Sequence, residues 1–179
     1  MREISRDEIL AYFQEINNRL ALEDKHGEIM VVGGAALTLV FNARGSTRDI
    51  DAVFRPAEDM RKIILSIAAD EGLPPDWLND TVKPFVTDKL NFDTYLVYSN
   101  LTVSTIDAES LLAMKLSSAR PGTKDMSDSL FLMQLLGISS EKALFDILDK
   151  YIEPFLRNVR IKHFTKEVFV KYQELMKGN

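Results

Sequence analysis

The chain has 179 residues, of which 46% are hydrophobic and none is cysteine, and its formal net charge at pH 7 is −5. This hydrophobic content supports a packed core and excludes a disordered chain, while the missing cysteines exclude disulfides, thiol catalysis and zinc–thiolate sites. The negative charge argues against broad electrostatic binding of nucleic acid, although a local basic patch is compatible with it.

The remaining composition favours a soluble, cytoplasmic protein. No apolar run is long enough to span a membrane, and the charged stretch from Met1 to Glu8 does not look like a signal peptide. We expect one domain over residues 1–179, with a core at about 29–136 and a helical C-terminal part at about 137–179.

The first predicted elements lead to a pair of glycines. Ser5 and Glu8 form a capping box before a helix with apolar residues at helical spacing. Residues 29–32 predict a strand and residues 35–41 a short helix, so that Gly33 and Gly34 lie where strand meets helix. Glycine lets a ligand approach the backbone, and the free N–H groups at a helix start favour phosphate.

The next strand, DIDAVF at 49–54, is predicted to open with two aspartates. Because side chains alternate along a strand, Asp49 and Asp51 should share one face, roughly 7 Å apart along the backbone. Two ionised carboxylates repel each other unless a cation or a proton intervenes, and Mg²⁺ prefers such oxygen ligands. A metal site beside a phosphate-binding turn indicates chemistry on a nucleoside triphosphate.

The rest of the chain alternates between helical and extended patterns. A helix at 58–71 is followed by an irregular stretch at 73–84, in which we interpret Trp77 as a core residue, and by two strands at 92–98 and 101–105. Further helices are predicted after Asp107 to about 119, at 125–136, at 141–150 and from Thr165 onward, with a loop at 120–124. We interpret the six basic residues between 157 and 177 as a solvated helix face, and Lys115, Arg120 and Lys124 as another possible source of local positive charge.

The block GGAAL, a loop with Arg44, Gly45, Thr47 and Arg48, and then DIDAVF resembles the signature of the nucleotidyltransferase superfamily. Downstream, AESLLAMKLSSARPGTKDMSD is similar to a later motif of the AbiEii-like toxin nucleotidyltransferases and their short single-domain relatives. That motif is a helix lysine followed by Lys/Arg-Asp-x-x-Asp. The resemblance covers roughly residues 29–136 and implies an α/β (α+β) fold, a nucleotidyltransferase-like mixed β-sheet flanked by helices.

This resemblance implies transfer of a nucleoside monophosphate from a triphosphate to an acceptor hydroxyl on tRNA or protein. It implies Mg²⁺, with Mn²⁺ as an alternative, and a toxin–antitoxin setting with a cognate antitoxin protein. In this sequence the matching residues are Asp49 and Asp51 for the metal, Gly33 and Gly34 for phosphate, and Lys115 with Arg48 for the triphosphate.

Two further aspartates and two other functions stay open. Asp125 and Asp128 match the last motif and would complete the site, yet Asp125 could equally serve the start of its helix. Asp93 is a candidate third strand carboxylate by its position. The same GG…DID block also resembles antibiotic adenylyltransferases, for which a small cationic acceptor suits the acidic chain; Ala35 departs from their usual aromatic residue. A non-catalytic binding module with this fold is the remaining alternative.

Overall fold

A computed structural model describes residues 3–119 and 123–177, and this part of the chain contains seven α-helices and seven strands. Arg120 and part of the predicted loop at 120–124 lie outside the described residues. The chain divides into two compact units, the first comprising residues up to 87 together with 92–106, and the second comprising 88–91 and 107 onward. The expectation of a single domain stays a prediction, because this division describes packing and not independent folding.

The first unit is built on a mixed five-stranded sheet, which confirms the predicted fold class. Its strands are β2 (Gly27–Val31), β4 (Ile50–Arg55), β5 (Leu78–Asn79), β6 (Phe92–Val97) and β7 (Leu101–Ile106), in the order β5-β4-β2-β7-β6. β2 runs parallel to β7 and antiparallel to β4, β5 runs parallel to β4, and β6 runs antiparallel to β7. Two short strands, β1 (Ile4–Ser5) and β3 (Ser46–Thr47), pair separately.

Two helices of the first unit, α1 (Arg6–Leu22) and α3 (Ala57–Glu71), cover one face of this sheet. A third helix, α2 (Gly33–Leu39), follows β2 directly. A Cβ atom on Gly27 would meet Leu20 of α1 and Met60 of α3, each at 2.8 Å, so both helices lie on the face of Gly27. Along β2 that face is buried, whereas Glu28 on the opposite face is exposed. One face is therefore packed on the core and the other is more open.

The stretch at 73–84 is more ordered than predicted, because it supplies β5. The N–H of Ile50 donates to the carbonyl of Trp77 at 2.7 Å, which brings this stretch alongside the start of β4. The prediction of a core tryptophan is confirmed: Trp77 is 1% exposed, its Nε1 donates to the carbonyl of Ile64 at 3.1 Å, and its ring packs edge-on against Tyr12.

The second unit contains four helices, α4 (Ala108–Ser118), α5 (Asp125–Leu135), α6 (Glu141–Tyr151) and α7 (Val159–Lys177). The side chains of Asp107 and Ser140 cap α4 and α6. The prediction that the last helix begins at Thr165 was wrong by six residues. The Asn158 side chain accepts a hydrogen bond from the N–H of Ile161 at 3.1 Å and so starts α7 earlier. Of the helices described in both units, none is long and apolar enough to cross a membrane.

Candidate metal and nucleotide site

The carboxylate of Asp51 lies against the backbone at the start of α2. Asp51 is partly exposed on β4. It shares a sheet face with Arg55 of the same strand, and Arg55 is paired with Glu28, so Asp51 lies on the more open face of the sheet. Gly33 has a φ of +64°, and a Cβ atom built there would lie 3.2 Å from Asp51 Oδ2. A side chain at this position would be strained and would crowd the carboxylate. The glycine therefore leaves open backbone directly beside one of the two predicted metal ligands.

The second glycine lies next to the loop that precedes β4. A Cβ atom on Gly34 would lie 3.0 Å from Thr47 Oγ1 and 3.3 Å from Arg44 Nη1. The Thr47 hydroxyl in turn donates to the carbonyl of Asp49 at 3.0 Å. Both glycines belong to α2 itself, whereas the sequence predicted a helix that begins after them. The structure thus brings Gly33, Gly34, Asp51 and the backbone of Asp49 together, with Thr47 and Arg44 beside them.

Asp49 precedes β4 and is not a strand residue, which corrects the prediction that strand alternation alone aligns the two aspartates. The residue as a whole is exposed, but its carboxyl group is partly desolvated. This burial, followed by the negative charges of Asp51 and Asp76, raises the pKa of Asp49, while the positive charge of Arg48 opposes the rise. The electrostatic interaction of Asp49 with Asp51 is the one that a bound divalent cation would relieve.

Asp76 is an acidic neighbour that the sequence did not indicate. Its position follows from the pairing of β5 with β4, in which Ile50 is opposite Leu78 in parallel register. Asp49 lies one residue before β4 and Asp76 two residues before β5, so the parallel pairing brings both aspartates to the same end of these two strands. A two-residue strand is too short to produce a periodic pattern, so only the order of the sheet reveals this neighbour.

The register of the sheet does not bring Asp93 to the carboxylate pair. Asp93 on β6 is opposite Thr105, Thr105 is opposite Val31, and Val31 is opposite Ala52. Directly paired residues share a sheet face, so Asp93 lies on the face of Ala52 and not on that of Asp51. It is also three strands away from β4, a distance of about 14 Å.

The other predicted site residues form a cluster within the second unit. Lys115 Nζ lies 3.0 Å from Asp125 Oδ1 and 2.8 Å from Asp128 Oδ2, and the hydroxyl of Ser118 donates to Asp125 Oδ2 at 2.6 Å. The side chains of Lys115, Asp125 and Asp128 are only 12%, 3% and 5% exposed. One lysine on α4 thus faces two nearly buried carboxylates on the first turn of α5.

The electrostatics of this cluster keep the carboxylate of Asp125 ionised. Burial by itself would raise the pKa of Asp125, but the hydrogen bond from Ser118 and the charge of Lys115 hold that pKa below its usual range. Lys124 occupies the cap position of α5, so Asp125 is its first helical residue and not its cap. The structure brings Lys115, Asp125 and Asp128 together as the motif predicts, and their part in any reaction stays a prediction.

The donor set at the first cluster is small and made of hard oxygens. Among residues 3–119 and 123–177, no group of three or more His, Cys, Asp or Glu side chains is arranged to hold a metal ion. Asp49 and Asp51 are therefore the candidate ligands by themselves. Such a pair fits Mg²⁺, which is usually held by one or two carboxylates and keeps its other positions for water and phosphate oxygens.

An open depression of about 680 Å³ lies at the other end of the sheet, lined by the ends of strands near Gly27, Arg55, Val97 and Leu101. Neither Asp49 nor Asp51 lines it. The candidate site is therefore identified by its chemistry and not by the depth of a cavity.

Comparison with known proteins gave one family. A family model described as "Nucleotidyltransferase of unknown function (DUF6036)" matches residues 7–174. Searches among the curated proteins and among the solved structures gave no match. The family match covers nearly the whole chain, including every residue of both clusters. This match does not test the narrower resemblance to AbiEii-like toxins, which stays a prediction.

Proposed function

Because the chain belongs to this family of nucleotidyltransferases, we propose that it transfers a nucleoside monophosphate from a nucleoside triphosphate to an acceptor hydroxyl. Asp49 and Asp51 would hold Mg²⁺, or Mn²⁺ in its place. The observation that carries the proposal is the position of the Asp51 carboxylate against the open backbone of Gly33, with the charge of Asp49 beside it.

The reaction balances as a single substitution at phosphorus. The acceptor oxygen forms a bond to the α-phosphorus and releases its proton to solvent. The bond from that phosphorus to the oxygen that bridges it to the β-phosphorus breaks, and pyrophosphate leaves. A bound divalent cation supplies charge neutralisation on the phosphates and orients them. The chain's own contribution is to bind and orient, because phosphoryl-type transfer depends mainly on positioning and electrostatics.

Three kinds of residue share this task in the proposal. Asp49 and Asp51 supply carboxylate oxygens, and Gly33 and Gly34 leave room for phosphate at the backbone. Arg48 is exposed next to Asp49, where a guanidinium group can pair with phosphate oxygens. For Lys115, Asp125 and Asp128, the roles taken from the resemblance, contact with the triphosphate and completion of the site, remain part of the proposal.

The acceptor we propose is a hydroxyl group of tRNA or protein, within a toxin–antitoxin pair. This rests on the downstream motif, and it is tested together with the reaction. The purified protein is incubated with Mg²⁺, each α-³²P-labelled nucleoside triphosphate, and separate pools of tRNA, lysate protein and aminoglycosides. Label entering tRNA or protein supports the proposal, and label entering an aminoglycoside would favour an antibiotic adenylyltransferase.

Two variants make the test specific to the site. Asp49→Asn/Asp51→Asn should abolish transfer. Asp7→Asn/Asp70→Asn removes two exposed carboxylates of the same unit, with the same change in charge, and should leave transfer unchanged. If wild-type protein binds triphosphate but labels no pool, the non-catalytic binding module becomes the better account.

A further inference from the structure

The last helix concentrates positive charge in an otherwise acidic chain. Residues 157–177 contain six basic and two acidic side chains, a net charge of +4, so the rest of the chain carries −9. Because the net charge of the protein is negative, any anion-binding surface has to be local. Which of the six basic side chains are free to bind an anion depends on their partners within the second unit.

Half of the basic side chains are already engaged. Arg157 forms an ion pair with Asp149, and Arg160 Nε donates to the carbonyl of Ala119 at 2.9 Å. Lys171 pairs with Glu174 at 3.0 Å, on the same helix. These contacts explain three of the six charges as parts of the folded second unit.

The other three basic side chains of residues 157–177 are not engaged in such contacts. Lys162, Lys166 and Lys177 are exposed, and in the part of the chain that the structure describes they form no ion pair and no hydrogen bond through their ammonium groups. We call these three residues the lysine stripe. By helix geometry they lie within an arc of about 60° and span about 22 Å along the axis of α7.

The stripe is unfavourable for the isolated helix. Lys162 and Lys166 are four residues apart, and like charges at this spacing destabilise a helix by a few tenths of a kcal/mol. Of the two acidic residues on α7, Glu167 directly follows Lys166, and adjacent helical residues do not face each other. Glu174 is paired with Lys171. A linear polyanion laid along the helix would relieve this repulsion. Lysine ammonium groups act as strongly hydrated point charges, which suits contacts with phosphate rather than the reading of bases.

We infer that the lysine stripe binds the phosphodiester backbone of RNA. A row of charges along a straight helix matches a row of phosphates better than it matches the scattered carboxylates of a folded acidic protein. The choice of RNA rests on the proposed function, which requires an acceptor hydroxyl, because every ribose of RNA carries one. Binding through the stripe itself requires neither triphosphate nor metal.

The inference is tested by fluorescence anisotropy with a labelled, unstructured RNA, in the absence of triphosphate and divalent cations. The variant is Lys162→Gln/Lys166→Gln/Lys177→Gln. The matched control is Lys62→Gln/Lys142→Gln/Lys171→Gln, which removes three exposed lysines that are paired with acidic residues and changes the net charge equally. Glutamine keeps the helical propensity of these positions, and unchanged circular dichroism verifies the fold.

The salt dependence of RNA binding gives the size of the effect that the inference predicts. Three phosphate contacts on a single strand contribute a slope of about −2 in log K against log salt. Raising the salt from about 50 to about 200 mM should therefore weaken the wild type roughly twentyfold more than the stripe variant, and the control should follow the wild type. Equal slopes for wild type and stripe variant, or equal losses in both variants, would overturn the inference.

Two competitors and one activity assay separate the remaining outcomes. Single-stranded DNA should compete about as well as RNA, because the stripe contacts phosphates alone, and the choice of RNA is overturned if the transfer reaction labels protein and no RNA. Poly-glutamate that competes equally would reassign the stripe to an acidic protein. Loss of RNA binding in the stripe variant with no transfer activity in the wild type would support the stripe and contradict the proposed function. Transfer to RNA that is unchanged in the stripe variant would support the proposed function and contradict the inference about the stripe.

Discussion

Replacing Lys115 by methionine is the sharpest test of the cluster in the second unit. The change removes the ammonium group and keeps an unbranched side chain of similar length. Asp125 and Asp128, which are only 3% and 5% exposed, then lose the cation that both of them contact. Breaking a buried ion pair from one side costs about 3–5 kcal/mol, because it leaves a buried charge uncompensated.

We therefore expect Lys115→Met to lower the free energy of unfolding by about 3–5 kcal/mol at pH 7. For a chain of this size, the melting temperature should fall by roughly 6–20 °C. The assay is urea and thermal unfolding followed by circular dichroism. The deficit should narrow as the pH falls, and the narrowing should begin above the ordinary aspartate pKa of about 3.9, because burial without the ammonium group favours the protonated form of Asp125.

Lys142→Met is the matched control. Lys142 pairs with Asp146 at 2.6 Å on one helix, but the two side chains are 83% and 58% exposed. Exposed pairs at this spacing contribute about 0.3–0.5 kcal/mol, so this variant should be nearly as stable as the wild type. If Lys115→Met is within about 1 kcal/mol of the wild type across the whole pH range, the buried cluster does not exist in solution as described.

Three further predictions concern other parts of the site and core. The lowered pKa of Asp125 stabilises the fold above the pKa of an unfolded aspartate, about 3.9, and this stabilisation is lost as the pH falls through the folded value. The loss caused by Asp125→Asn should therefore be full near pH 7 and fade below about pH 4 in urea unfolding. Gly34→Ala adds an atom 3.0 Å from a threonine hydroxyl and should reduce the transfer rate roughly ten- to hundredfold, whereas Gly45→Ala enters open space and should leave the rate unchanged. Trp77→Ala empties a buried position and should cost about 3–5 kcal/mol in unfolding experiments, and a smaller loss would contradict its place in the core.

The elements with strong local signals were predictable from the sequence. The capping box of Ser5 and Glu8 is present as expected, and α1 begins at Arg6, directly after Ser5. Gly72 ends α3 in the left-handed conformation, and the side chains of Asp107 and Ser140 cap their helices. Each of these signals lies within a few residues of the structure that it specifies.

What escaped prediction depends on contacts between distant segments. β5 is two residues long and exists because its neighbour β4 offers hydrogen-bonding groups, so no local pattern indicates it. The same pairing brings Asp76 beside Asp49. The start of α7 differs for another reason: Asn158 is an ordinary cap residue, but the sequence prediction begins the helix only at Thr165.

For the candidate site, the sequence predicted the ligands and the structure added their surroundings. The order of a glycine pair and two nearby aspartates indicated that the glycines and the aspartates would lie close together. A Cβ atom built on Gly33 would lie 3.2 Å from Asp51 Oδ2, which agrees with this. The proximity of Thr47 to Gly34 requires the fold of the intervening loop. Asp93 shows the limit of position along the chain, since only the sheet register reveals which face it occupies.

The most direct test of the central claim follows two labels in one reaction. The protein is incubated with an acceptor pool and a triphosphate labelled at either the α- or the γ-phosphate, with wild type and Asp51→Asn in parallel. The account predicts that the α-label enters the acceptor, that the γ-label leaves as pyrophosphate, and that both events stop in the variant. Entry of the γ-label into the acceptor, or α-label transfer that survives in the variant, would contradict the assignment of this site as a nucleotidyltransferase centre.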